Sequence, residues 1–101
     1  MAELIWSDHA LSELESIFDY IALDSRLYAQ YTIQNIFKAA EILHTFPESG
    51  RHLPEFPNLP HRELLLGNYR IIYRYNAEQN SVNVVTVVHG SRLLKEAHLM
   101  E

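Results

Sequence analysis

Residues 62–76, RELLLGNYRIIYRYN, constrain the fold more than any other stretch of the chain. Two aliphatic and aromatic runs flank Gly67-Asn68, and both of those residues tolerate positive φ, so the segment reads as a β-hairpin with a two-residue turn. With only Gly67 and Asn68 in the turn, Leu66 pairs with Tyr69, Leu65 with Arg70, Leu64 with Ile71, Glu63 with Ile72, Arg62 with Tyr73 and His61 with Arg74. Directly paired residues share a face of a sheet. One face therefore gathers Leu64, Leu66, Tyr69, Ile71 and Tyr73, with Arg62 at its far end. The other gathers His61, Glu63, Leu65, Arg70, Ile72 and Arg74. The first face needs an apolar cover. The second is expected to be open, with Glu63 diagonal to both Arg70 and Arg74.

The cover lies upstream. Apolar residues at Ala10, Leu11, Leu14, Ile17, Phe18 and Ile21 follow helical spacing after Ser7, a residue able to cap the first turn. A second helix is expected from Asp24 or Ser25 to about Thr45, where Pro47 stops it; Ala29, Ile33, Ile36, Ala40 and Leu43 form its inner stripe. Two helices joined by so short a break fold back as an αα-hairpin. ELIW, residues 3–6, is a short strand, and VNVVTVV, residues 82–88, has the β-branched content of a strand inside a sheet. Residues 46–60 hold all four prolines and are expected to be an extended connector without regular structure. Ser91 is placed to cap a short last helix. The pattern predicts one α+β domain over residues 1–101: an N-terminal strand and α-hairpin packed against an antiparallel β-sheet, with a short C-terminal helix.

Charge is distributed unevenly along the chain. The net charge is −5, yet residues 1–50 carry two bases against eight acids and residues 51–101 six bases against five acids. Any anionic partner would have to approach the second half. Absence of cysteine excludes a disulfide framework and thiolate chemistry and suits a reducing compartment. The acidic start MAELIWSD is unlike a signal peptide, and no apolar run approaches the roughly 18 residues of a membrane span, so a cytoplasmic protein without membrane contact is expected.

Two explanations compete for the arginines. A cross-strand ion network on a solvated face accounts for Arg74 and Glu63. Alternatively, Arg70, Arg92 beyond the last strand and Arg51 from the connector converge on an anion or a carboxylate-bearing partner, since the planar guanidinium fork binds both groups bidentately. His9, His44 and His52 read as surface residues. His89 suits either a strand end bonded to backbone or an acid–base group. His89 and His98 have neither helical i, i+4 spacing nor a nearby cysteine, so no metal is expected. Gly50, Gly67 and Gly90 form no phosphate-cradling loop, so no nucleotide cofactor is expected.

YIALDS at the helical bend, FPESGR after the second helix, RELLLGNYRIIYRY and VVTVVHGSR, in that order, resemble the RelE/ParE superfamily of toxins from type II toxin–antitoxin modules, most closely its ParE-type or plasmid-stabilisation branch. The resemblance spans nearly the whole chain and implies a small toxin neutralised by a cognate antitoxin in a hetero-oligomeric complex. ParE-type members act on DNA gyrase; RelE-like members cut messenger RNA in the ribosome. In the ribonuclease branch arginines matching Arg70 and Arg92 bind the scissile phosphate, with His89 or His98 as possible acid–base groups. Its RNA-facing lysines, however, fall on His61 and Glu63, and its C-terminal tyrosine falls near His98. A carboxylate there repels phosphate, and eight basic residues are few for a ribosomal site. The ParE-like reading is therefore preferred over a RelE-like endoribonuclease, and an inactive binding module that kept the fold is a third possibility. Antitoxin or target contacts are expected at Arg51, Arg62, Arg70, Arg74, Arg92, Tyr20 and Tyr28. Tyr31 belongs with the last two, although helix aromatics at this spacing are more often part of a core.

Overall fold

The computed structural model describes residues 1–99. Both helices begin where a serine caps them. Ser7 Oγ accepts the Ala10 amide at 2.9 Å and opens α1 (Asp8–Ala22), which follows strand β1 (Glu3–Trp6). Ser25 Oγ accepts the Tyr28 amide at 3.1 Å and opens α2 (Arg26–Ala40). A 3₁₀ turn over Glu41–His44 then tightens the end of α2 ahead of Pro47. The predicted inner stripe holds: Ala29, Ile36, Ala40 and Leu43 have no exposed surface, while Leu11 at the margin of α1 is 44% exposed.

The remaining elements are β2 (Arg51–His52), β3 (Arg62–Leu66), β4 (Tyr69–Asn76), β5 (Ser81–His89) and a 3₁₀ turn at Glu96–Leu99. They build a sheet in the order β1-β5-β4-β3-β2. The β3–β4 register is the expected one at every pair from Leu66–Tyr69 to Arg62–Tyr73. Within this turn Gly67 but not Asn68 adopts positive φ, at +55°, which is the type II′ pattern rather than the I′ pattern that would need it at both. The α+β class holds, with one addition: β1 joins the edge parallel to β5, so the sheet is mixed.

A bulge in β5 fastens the helices to the sheet. Ile72 pairs with Thr86 and Tyr73 with Val84, leaving Val85 as the extra residue. Ser7 reads this bulge directly: its amide donates to the Val84 carbonyl at 3.0 Å and its hydroxyl to the Val85 carbonyl at 2.9 Å. One serine thus caps α1 and fixes where α1 starts over the sheet.

The helical layer covers Ile71, Tyr73, Val82, Val84 and Val87 with Ala10, Leu14, Ile36 and Leu43. The opposite face is not open, contrary to the expectation from alternation alone. Leu53, Phe56 and Leu59 of the proline-rich connector and Leu94 and Leu99 of the C-terminal segment cover Ile72 and Val88 as a second apolar cluster. The connector also contributes β2, a two-residue strand that the prolines did not suggest. Ser91 caps no helix; its hydroxyl lies 2.7 Å from His89 Nδ1. His44, read as a surface residue, lies 2.7 Å through Nδ1 from the Ala2 carbonyl and ties the end of the helical layer to the N-terminus.

Candidate functional site

The alternation that sends Arg70 away from the helices also sends Glu63 there, and the structure closes both under the connector. Arg70 is 8% and Glu63 1% exposed. Arg70 Nε donates to Glu63 Oε1 at 2.5 Å, while Nη1 and Nη2 donate to Glu55 at 2.6 and 2.8 Å in a bidentate fork. Glu63 Oε2 accepts from Arg51 Nε at 2.6 Å on the solvent side. Every nitrogen of the Arg70 guanidinium therefore has a carboxylate partner within the chain. Glu55 first, and then Glu63, hold its proton more tightly than in a free arginine. The expectation of an outward-facing Arg70 available to an anion is corrected: the residue lies on the predicted face, in a closed ion cluster.

The same pair has an acid-sensitive consequence. Arg70 holds the Glu55 carboxyl below its ordinary value of 4.5. A depressed folded-state pKa contributes stability that is fully present above the unfolded-state value and is lost as pH falls through the folded one. Amide protection along residues 53–59, taken relative to the intrinsic exchange rate at each pH, is therefore expected to fall on acidification below about pH 4.5. In Glu55→Gln that pH dependence should be absent.

The other predicted contacts divide in two. Arg62 turns toward the chain, donating to the Gly50 carbonyl at 2.8 Å and the Glu48 carbonyl at 3.2 Å, so it fixes the connector's start. Arg92 stays half-exposed, with Nη1 3.2 Å from Glu13 on α1. It borders a groove floored by Ile17, Ile21, Tyr69 and Val87 and rimmed by Tyr20 and His89. Ile21 and Tyr69 also line the adjoining groove, where Tyr28, Tyr31, Asn35 and Ile36 of α2 face the β3–β4 turn. Tyr20, Tyr28 and Tyr31 are 78%, 61% and 61% exposed, which excludes a core role for all three. Leu23 and Leu27 at the helical bend are likewise 82% and 78% exposed. Sequence reasoning passed over them because the helical stripe alone gives leucines at a bend no orientation.

Tyr69, missed as a site residue because it counted only as core, sits where the two grooves meet. Its ring stands edge-on to His89, with centroids 5.5 Å apart. Burial, with Tyr28 nearby, raises its phenol above the ordinary value. His89 Nδ1 is 3.2 Å from the Ser91 amide, which donates to it, so the backbone-bonded reading of His89 is the observed one. Arg74 is exposed at the other end of the sheet, apart from this surface. His98 Nδ1 accepts from the Lys95 amide at 3.1 Å. Among the described residues no three His, Cys, Asp or Glu side chains come together as a metal site, and no helix is long and apolar enough to cross a membrane.

Comparison with known proteins places this geometry. The sequence model of the family described as the ParE toxin of the type II toxin–antitoxin system parDE matches residues 4–94. The toxin RelE2 of Caulobacter vibrioides is 34% identical over 93 residues, covering 92% of this chain and 100% of that protein. In fold the chain is similar to a component of the chromosomal ParDE system of P. aeruginosa, with a TM-score of 0.72 at 22% identity, over 88% of this chain and 96% of the other. A chain of the intact E. coli RelBE complex gives a TM-score of 0.65 at 20% identity, over 91% and 100%.

Proposed function

The chain belongs to the ParE toxin family of type II toxin–antitoxin systems, within the RelE/ParE superfamily, and from that membership we propose that it stops growth by engaging DNA gyrase and is neutralised by a cognate antitoxin. The observation that supports a protein target over RNA cleavage is the closure of Arg70. Resemblance to the ribonuclease branch makes this arginine a ligand of the scissile phosphate, yet here Glu55 and Glu63 together engage all three of its nitrogens, Glu55 through a bidentate fork. A phosphate arriving there would have to displace one carboxylate and lie against another, which costs more than an open cationic site recovers. The RelE-like reading requires the connector to withdraw Glu55 first.

The working surface is then the paired groove around Tyr69. Large exposed aromatic and aliphatic side chains at the helical bend, with Arg92 at the groove's end, have the composition of a protein interface. The antitoxin lays apolar side chains into the groove between α2 and the β3–β4 turn and directs a carboxylate toward Arg92. The toxin and antitoxin together form a hetero-oligomer.

Purified protein added to gyrase should impair supercoiling and leave ribosome-bound message intact. Arg92→Ala should weaken both the gyrase effect and growth inhibition while changing stability by no more than about 1 kcal/mol, as for an exposed ion pair. Cleaved message with gyrase unaffected would reverse the assignment.

A further inference from the structure

Arg74 is, alone among the arginines of the described residues, without a carboxylate, carbonyl or ring partner: Arg26 lies over Phe18, Arg62 holds main-chain carbonyls and Glu48, and Arg51, Arg70 and Arg92 hold carboxylates. Its exposed side chain projects from β4 at a position outside the apolar cluster that the connector and the C-terminal segment form among the described residues. There it lines a polar cleft of about 660 Å³ together with Asn76, Asn83 and Glu78. Asn83 pairs with Arg74 across the strands, and its half-buried side chain makes no hydrogen bond among the described residues. Asn76 uses its carbonyl oxygen to accept the Gln79 amide at 3.1 Å, which leaves its amide hydrogens for a ligand. Beside Arg74 stands His61, 5% exposed; burial, and then the Arg74 charge, depress its pKa and keep a second cation from forming there.

We propose that the Arg74–Asn76–Asn83 cleft is a second interaction site, separate from the Tyr69 grooves, that takes a single carboxylate presented by an extended segment of a partner protein. The donor set fits one oxyanion: a guanidinium fork with two side-chain amides lining the same cleft. The cleft is far larger than an isolated ion, so the carboxylate arrives on a chain. Glu78 on the rim opposes a second negative charge. A nucleic-acid backbone is disfavoured for the same reason, because one arginine on a body of net charge −5 releases too few counterions.

The test is nitrogen-15 NMR on the full chain, following the Arg74 Nε–H and the Asn76 and Asn83 side-chain amides. Acetyl-Gly-Glu-Gly-amide should shift these resonances saturably, and its glutamine analogue should bind roughly tenfold more weakly or worse. Arg74→Gln should abolish the response without unfolding an exposed position, and Glu78→Gln should strengthen it severalfold. Peptide-induced shifts that persist in Arg74→Gln, or no shifts at all, would overturn the site. Tighter binding by a short single-stranded RNA or by inorganic phosphate than by the peptide would overturn the protein-carboxylate assignment. Gyrase inhibition unaltered in Arg74→Gln is expected, since this cleft lies apart from the surface proposed for that activity.

Discussion

Replacing Glu63 by alanine is expected to destabilise the protein by about 3 kcal/mol or more, the usual cost of removing one member of a buried ion pair. Glu63 has no exposed side-chain surface and bridges two arginines, Arg51 at 2.6 Å and Arg70 at 2.5 Å. Losing it leaves the Arg70 Nε–H without an acceptor in a site where Arg70 is itself only 10% exposed. Glu55 continues to hold the far edge of the guanidinium, which keeps the loss near the lower end of the range. Arg51 contributes little to the cost, because its side chain is 57% exposed and water replaces the carboxylate. Urea unfolding of Glu63→Ala should show a lower midpoint at unchanged slope. A loss under about 1 kcal/mol would class the cluster with exposed surface pairs.

Gly50→Ala is expected to cost roughly 3 kcal/mol, from steric overlap that the surroundings cannot relieve. A Cβ at this position would lie 2.6 Å from the Glu63 carbonyl oxygen and 2.7 Å from the Tyr73 hydroxyl. The first is β3 backbone and the second a side chain with no exposed surface, so neither yields easily. The shift would also break the bond from the Gly50 amide to the Tyr73 hydroxyl, 2.9 Å long, which anchors the connector to the sheet. Tyr73→Phe isolates that last contribution and should cost about 1–3 kcal/mol by leaving a buried amide unsatisfied. Thermal unfolding of the two variants should separate the terms. A Gly50→Ala protein as stable as the parent would mean that the connector does not enter the sheet at this point.

Much of this arrangement is written in local patterns. The Gly67-Asn68 turn sets the β3–β4 register because a hairpin leaves no freedom once its loop length is fixed. The α-hairpin follows from two capped stripes and a three-residue break. What the sequence hides depends on pairing between distant segments. Leu53, Phe56 and Leu59 are scattered among prolines with no period, so nothing local reveals that they fold back onto Ile72 and Val88. For the same reason Glu55 gives no sign, fifteen residues before Arg70, that it will grip that guanidinium. Alternation correctly assigned Arg70 to the face without helices; it cannot say whether a face is covered. The parallel pairing of β1 and the bulge at Val85 are likewise products of the assembled sheet. At the candidate site, Arg92 and the helix tyrosines can be named from composition and position, but helical spacing alone favours a core for the tyrosines, and their exposure emerges only in the assembled fold. Tyr69 cannot be named in this way, since one residue serves as both core and groove floor.

An apolar swap of the buried pair, Arg70→Met with Glu63→Met, tests most directly whether Arg70 serves the fold rather than the activity. Replacing both charges together avoids the unpaired guanidinium and is often tolerated or stabilising in buried pairs. Growth inhibition on induced expression, read beside the melting temperature of the purified variant, gives the answer. A folded variant that still arrests growth is the expected result. A variant equally well folded yet harmless would contradict it, because the arginine would then be needed for activity rather than for the fold.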